Sequence, residues 1–324
     1  MEDRGPAIID DVVSGKIDPD NVNQDQREEL ENLKEALDSV KNESKLDDED
    51  KEILNKAEAA LPGILDALEE LDELVESENI AASEDITAEN VKPQDEEKLA
   101  EAKAEIEKLL TDKADQLGQE EKKALEAKLE EIDQAITLLG GTSTLIEEIR
   151  KWHGDNEGSF DADSLALREE FESFENRIDA LSENGAAIVR EHVGEELKNA
   201  EAKLYTYRII SGDEDKWTKG NSKTLDFTAN GHISLFSHLL IDGERLDEEY
   251  YSLEEGSTIV QLNTEYLRKL SPGEHSIQFV YTDGMTDEGT FRVLRPSLYL
   301  GIAAAAAGCL ALVGRRKRKE KETV

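Results

Sequence analysis

Five histidines, one cysteine and a large excess of carboxylates are the residues from which this chain could build chemistry. His153, His192, His232, His238 and His275 form no His-x-x-x-His pair and none stands beside the cysteine, so their spacing gives no zinc site. Asp18-x-Asp20 with Glu29 at the twelfth position has the outline of a calcium loop. Val22 replaces its fifth-position ligand and Asn23 its obligatory glycine, which rules out an EF-hand. No Gly-rich phosphate loop follows a strand, and no Gly-x-Ser-x-Gly elbow is present. With 77 Asp and Glu, carboxylate pairs occur by composition alone and do not argue for glycoside hydrolysis, which needs two carboxylates held across a cleft. The sequence thus predicts no catalytic residue, no metal and no cofactor. Trp217 and Tyr250 are the candidates for ligand contact, since an exposed aromatic face stacks on a sugar ring. In the commoner use of such rings, Trp217 would cover a strand edge and Tyr250 would fill a core.

The elements that would position these side chains belong to more than one domain. The chain has 324 residues, 38 Lys and Arg against 77 acids, a net charge of -39 and 5% aromatics, which suits two or more modest cores. Most of the acid excess lies in the first two thirds, where it repels nucleic-acid phosphates and argues against a nucleic-acid partner. A halophilic or cation-rich habitat fits the acidity equally. The lone Cys309 lies in an apolar run, so there is no disulfide framework and stability must come from packing.

Residues 1–22 read as a flexible lead-in. Leu30, Leu33, Leu37 and Val40 then recur at three- and four-residue steps and predict a helix from Asp25 to Lys41. A second helix is expected from Asp48 to Ala60, ended by Pro62, and a third stripe through Ile64, Leu68, Leu71 and Val75, giving a small bundle over 23–80. The pattern returns over 81–155: Asn90-Val91 echoes Asn21-Val22, and Leu99, Ala102, Ile106 and Leu109 echo the first stripe, each 69 positions on. In this second copy Gly140-Gly141 is expected to end one helix before Leu145 to Trp152 opens another. A helical hairpin over 156–203, with Asn184-Gly185 as its turn, reads as a third, degenerate unit. From 204 to 295 the apolar period changes to two, first in Tyr205, Tyr207 and Ile209, then in Leu225 and Phe227 and in Ile277, Phe279 and Tyr281, with Asp242-Gly243 and Asp283-Gly284 as turns. About seven short strands are expected here, as a sandwich of immunoglobulin type.

The helical half, in Asn90-Val91-Lys92-Pro93, Leu117 to Leu129 and Ala200-Glu201-Ala202-Lys203-Leu204, resembles the acidic helical repeats of cell-surface proteins from Gram-positive bacteria, the Clostridia in particular. That resemblance implies spacer or attachment modules. More specific are Trp217-Thr218-Lys219-Gly220, Leu225-Asp226-Phe227, Ile241-Asp242-Gly243, Leu246, Tyr250, Gly256-Ser257-Thr258, Leu262, Tyr266-Leu267, Leu270, Gly273, His275 and Phe291. On these residues 205–294 resemble the immunoglobulin-like carbohydrate-binding X domain of the second kind. It implies cell-wall or host glycans as partners, although members of that family also serve as plain linking modules.

The last stretch predicts a membrane anchor. Residues 296–314, with Leu298, Tyr299, Leu300, Ile302, Leu310, Leu312 and Val313, form an uncharged run near the lower limit of about 17–25 residues for a span. Arg315, Arg316, Lys317, Arg318 and Lys319 in the tail 315–324 set its orientation, with the carboxyl terminus cytoplasmic and the bulk of the chain extracellular. Leu294-Arg295-Pro296-Ser297-Leu298 lacks the Thr-Gly of a sortase signal, and Met1-Glu2-Asp3-Arg4 lacks the features of a secretory signal, so a missing amino terminus is expected. The reading at this level is a multi-domain chain: all-α helical-bundle repeats, an all-β immunoglobulin-like sandwich and one carboxy-terminal transmembrane helix. Its expected work is that of a surface stalk, spacer or adhesin. The alternative is the anchoring end of a larger extracellular carbohydrate-active enzyme.

Overall fold

The computed structural model describes residues 5–40, 46–254 and 257–296, a helical region followed by a sheet region. The described residues form two compact units, one of those up to 148 with 177–194, the other of 149–176 with 195–296. In chain order the helices of the first region are α1 (Gly5–Val13), α2 (Arg27–Val40), α3 (Asp48–Val75), α4 (Glu78–Ala82), α5 (Glu96–Asp112), α6 (Gln119–Asn156), α7 (Leu165–Asp179) and α8 (Glu183–Leu204). The starts of α2, α5 and α7 are spaced by 69 residues each time.

Local chemistry fixes these starts. Ahead of α2, Asn23 Oδ1 accepts from Asp25 N at 2.8 Å and Gln26 Oε1 accepts from Asn23 N at 2.9 Å, a reciprocal cap of two orphan donors. Sixty-nine residues later Asp95 Oδ2 accepts from Lys92 N at 2.9 Å. Asp47 caps α3 through Glu49 N and Asp50 N, and Asp48, Glu49 and Asp50 favour the positive end of the helix dipole. The apolar stripes then pack together: Leu30, Leu33 and Leu37 of α2 meet Ala57, Leu61, Ile64 and Leu68 of α3, with Ile8 and Val12 of α1. Each such leucine contributes about 1.5–3 kcal/mol.

Two expected helix ends are absent. α3 runs through Pro62 and α6 runs through Gly140-Gly141, so that in each case two expected helices are one, and residues 1–22, expected as a flexible lead-in, instead contain α1, whose Ile8 and Val12 are buried with α2 and α3. An interior proline costs about 3 kcal/mol and a glycine about 1. Burial of Ala57, Leu61, Ile64, Leu68 and Leu71 on one side of α3, and of Ile132, Ala135, Leu139, Leu145 and Ile149 along α6, outweighs those costs.

The sheet region holds β1 (Ile209–Ser211), β2 (Asp215–Thr218), β3 (Leu225–His232), β4 (Phe236–Ile241), β5 (Glu244–Arg245), β6 (Tyr251–Glu254), β7 (Ser257–Leu262), the short helix α9 (Thr264–Lys269), β8 (Gly273–Tyr281) and β9 (Gly289–Leu294). One sheet has the order β1-β3-β7-β6 and the other β2-β9-β8-β4-β5, with β2 parallel to β9. That ordering is the immunoglobulin arrangement, with the first edge divided between the sheets. Inward positions alternate strictly along β8, where His275, Ile277, Phe279 and Tyr281 are buried, opposite Phe227, Val260 and Leu262 of the other sheet. Asp242 and Gly243 take φ +53° and +80°, the pair of left-handed residues required by a tight turn between β4 and β5. Tyr205 and Tyr207, expected in a strand, lie in the segment before β1.

The transmembrane helix expected over 296–314 requires correction. No helix among the described residues is long and apolar enough to cross a membrane. Leu298, Tyr299, Leu300, Ile302, Leu310, Leu312, Val313 and the basic Arg315, Arg316, Lys317, Arg318 and Lys319 lie outside the described residues. The single-pass membrane location that rested on that helix is withdrawn with it.

Candidate functional site

Trp217, the first candidate for sugar stacking, is only 1% exposed, and its Nε1 donates to the Lys223 carbonyl at 2.8 Å. Alternation along β2 turns it inward beside Val293 of β9, and neither ring face is open. Tyr250 packs half-buried against the same core, with its ring 5.3 Å from that of Tyr266. Lys269 lies over the Tyr250 ring at 4.3 Å and donates from Nζ to its hydroxyl at 2.8 Å. The two rings therefore belong to the inside and the edge of the sandwich, and do not form a joint platform.

The densest polar arrangement lies elsewhere in the second unit. Arg168, from the first turns of α7, is 5% exposed, and its guanidinium donates to the Tyr207 hydroxyl at 3.0 Å and to Asp283 Oδ2 at 2.5 Å. Tyr207 donates in turn to Asp283 Oδ1 at 2.6 Å, which closes a three-membered ring of bonds. The guanidinium also lies 4.3 Å from the Tyr205 ring centre and 5.6 Å from that of Tyr207. Burial lowers the proton affinity of Arg168, but the Tyr207 bond and the Asp283 charge more than offset it. Burial, and secondly the bond to Asp283, push Tyr207 up to about 12. Tyr207 stacks on Tyr281 at 4.1 Å and 9°. Gly231 permits this packing, because a Cβ there would sit 2.3–2.7 Å from Tyr281.

A second set of bonds joins the loop before α7 to the sandwich. Asp161 Oδ1 accepts from Asn230 Nδ2 at 2.5 Å and Oδ2 from Arg208 at 3.2 Å, while Asp163 accepts from Ser257 Oγ at 3.4 Å. Between them Ala162, fully buried, enters the sandwich core. These groups are fixed donors and acceptors engaged with one another, an arrangement suited to fastening rather than to bond-making chemistry. The sequence did carry one trace of the fastening: Arg168 is a lone cation in the apolar stripe of Leu165, Phe171 and Ile178.

In the first unit a cavity of about 300 Å³ opens between the end of α3 and α5, lined by Leu74, Ser77, Glu105 and Leu109. Both oxygens of Glu105 are engaged, by Ser77 Oγ at 2.5 Å and Asn79 Nδ2 at 2.6 Å, and these bonds hold its carboxyl below the usual range. Among the described residues no group of three or more His, Cys, Asp or Glu is placed to hold a metal ion.

No protein-family model matches the chain, and no curated protein matches it. Among solved structures, a tri-modular GH5 (subfamily 4) endo-beta-1,4-glucanase from Bacillus licheniformis in complex with cellotetraose is 16% identical, covering 31% of this chain and 20% of its own, at a TM-score of 0.25. The full-length tri-modular endo-beta-1,4-glucanase B from Bacillus halodurans is also 16% identical, with coverage of 32% and 20% and a TM-score of 0.23. The twitchin kinase region from C. elegans is 14% identical, with coverage of 34% and 20% and a TM-score of 0.23. The chain thus spans about 20% of the length of the solved structures it matches, and likenesses this slight carry no argument about function.

Proposed function

We propose that this chain is a non-catalytic connecting module, a series of helical repeats that spaces and presents a sandwich of the X-domain type. The observation that supports this reading is the way successive repeats in the first unit are fastened. In the first junction Gln116 Nε2, from the turn between α5 and α6, donates to the Pro19 carbonyl at 3.2 Å, and Asn23 Nδ2 donates back to the Asp115 and Leu117 carbonyls at 2.8 and 2.9 Å. In the second junction Asn184 Nδ2, at the start of α8, donates to the Ala88 and Val91 carbonyls at 3.2 and 2.9 Å. Pro19 and Ala88 stand at the same place in their repeats, 69 residues apart. A carboxamide of one repeat thus seizes the backbone of the repeat before it, and a fixed junction is what a spacer requires.

The test is a distance measurement by pulsed electron paramagnetic resonance between labels at the exposed positions 35 and 191, in a chain with Cys309→Ser. The native junctions should give one narrow distribution, which Asn23→Ala with Asn184→Ala broadens. A broad distribution with the junctions intact would refute the spacer reading.

A further inference from the structure

The 69-residue spacing of α2, α5 and α7 sets the three leading loops and first helices in one register. Val22, Val91 and Phe160 occupy one position of that register and all three are buried. Asn23 and Asp161 share the next: Asn23 bonds to the Asp115 and Leu117 carbonyls of the following repeat, and Asp161 bonds to Asn230 and Arg208 of the sandwich. Gln24 and Ala162 share the one after. Gln24 Oε1 accepts from Gly118 N at 2.9 Å, again from the following repeat, and Ala162 is buried in the sandwich core. In the first and third repeats the same two places of the leading loop therefore engage whatever comes next along the chain, a helical hairpin and the sandwich respectively; in the second, where they hold Lys92 and Pro93, the loop instead engages Asn184 of the next unit through the Ala88 and Val91 carbonyls.

The fourth residue of the first helix breaks the pattern. Leu30 and Leu99 stand there in the first two repeats, both with 0% exposure, and Arg168 stands there in the third with 5%. An arginine in a leucine site is tolerated only where its head finds partners, because an unpaired buried charge is strongly destabilising. Every partner given above for its head, Tyr205, Tyr207 and Asp283, follows α8 in the chain.

From this register we infer that each leading loop is a socket for the following unit, and that Arg168, on the helix behind the third loop where the first two repeats bury a leucine, is the residue that fits the third socket to the sandwich instead of another helical repeat. The inference stands independently of the spacer reading, because a socket can select its occupant whatever the assembled chain does.

The test is Arg168→Leu in the full chain, which restores the residue that the first two repeats carry. The helices should form as before, so the far-ultraviolet circular dichroism stays unchanged. Limited proteolysis between Leu204 and Arg208 should accelerate by on the order of tenfold or more, since cleavage tracks the opened population. Asp283→Asn keeps the shape of the sandwich partner, removes its charge and should accelerate the same cleavage. Loss of helicity in Arg168→Leu would overturn the inference, because leucine would then not serve at this position as it does at 30 and 99. Unchanged cleavage in either variant would overturn it as well.

Discussion

Replacing Trp217 by alanine separates a structural ring from a ligand-binding one. The ring is 1% exposed and holds the Lys223 carbonyl through Nε1. A buried aromatic removes about 150–250 Å² from water, which at about 25 cal/mol per Å² amounts to roughly 4–6 kcal/mol as an upper bound. Core truncations of Trp or Phe to Ala cost about 3–5 kcal/mol. The lost hydrogen bond adds little, because Lys223 is exposed and water can serve its carbonyl. A loss of about 4 kcal/mol in a unit of this size lowers the melting midpoint by about 15 °C. Thermal melts followed by near-ultraviolet circular dichroism, which reports tertiary packing around the rings, measure that shift. Tyr250→Ala, at a half-buried edge ring, should cost less than half as much. A Trp217→Ala protein melting within about 3 °C of the native one would refute the burial argument.

Tyr207 makes stability fall in strong alkali. Its folded-state pKa is raised to about 12 from an ordinary 10, so its contribution is complete below pH 10 and lost as the pH rises through 12; denaturant midpoints across that range should fall further in the native chain than in Tyr207→Phe. Gly231→Ala should displace Tyr281 and cost about 1–3 kcal/mol by overpacking, read from the same midpoints, and an unchanged midpoint would contradict the contact geometry.

The parts of the fold that follow from a period were legible in the sequence. The stripe of Leu30, Leu33 and Leu37, its echo in Leu99, Ala102 and Ile106, and the alternation of Ile277, Phe279 and Tyr281 each define a buried face, and each is buried as expected. Helix ends were less legible, because Pro62 and Gly140-Gly141 act locally while burial along the whole of α3 and α6 decides the outcome. The apolar run after Pro296 suggested a spanning helix that no described residue forms. The fastening of α7 to the sandwich was hidden for a different reason: Arg168, Tyr207 and Asp283 are far apart in the chain, and only the folded backbone brings them together. Asn184 likewise looked like a turn residue beside Gly185, with nothing to announce that its amide reaches Ala88 and Val91.

The acceptors at the helical junctions have a bearing on how such a chain could change over generations. Pro19, Ala88, Val91, Asp115 and Leu117 all receive their bonds at main-chain oxygens, which every amino acid supplies. A duplicated segment of 69 residues would arrive with half of each new junction already made, whatever its side chains had become, and one well-placed asparagine or glutamine would complete it. The array can therefore lengthen in whole steps while the exposed faces of its helices change in composition, and the position held by Arg168 is where such lengthening stops.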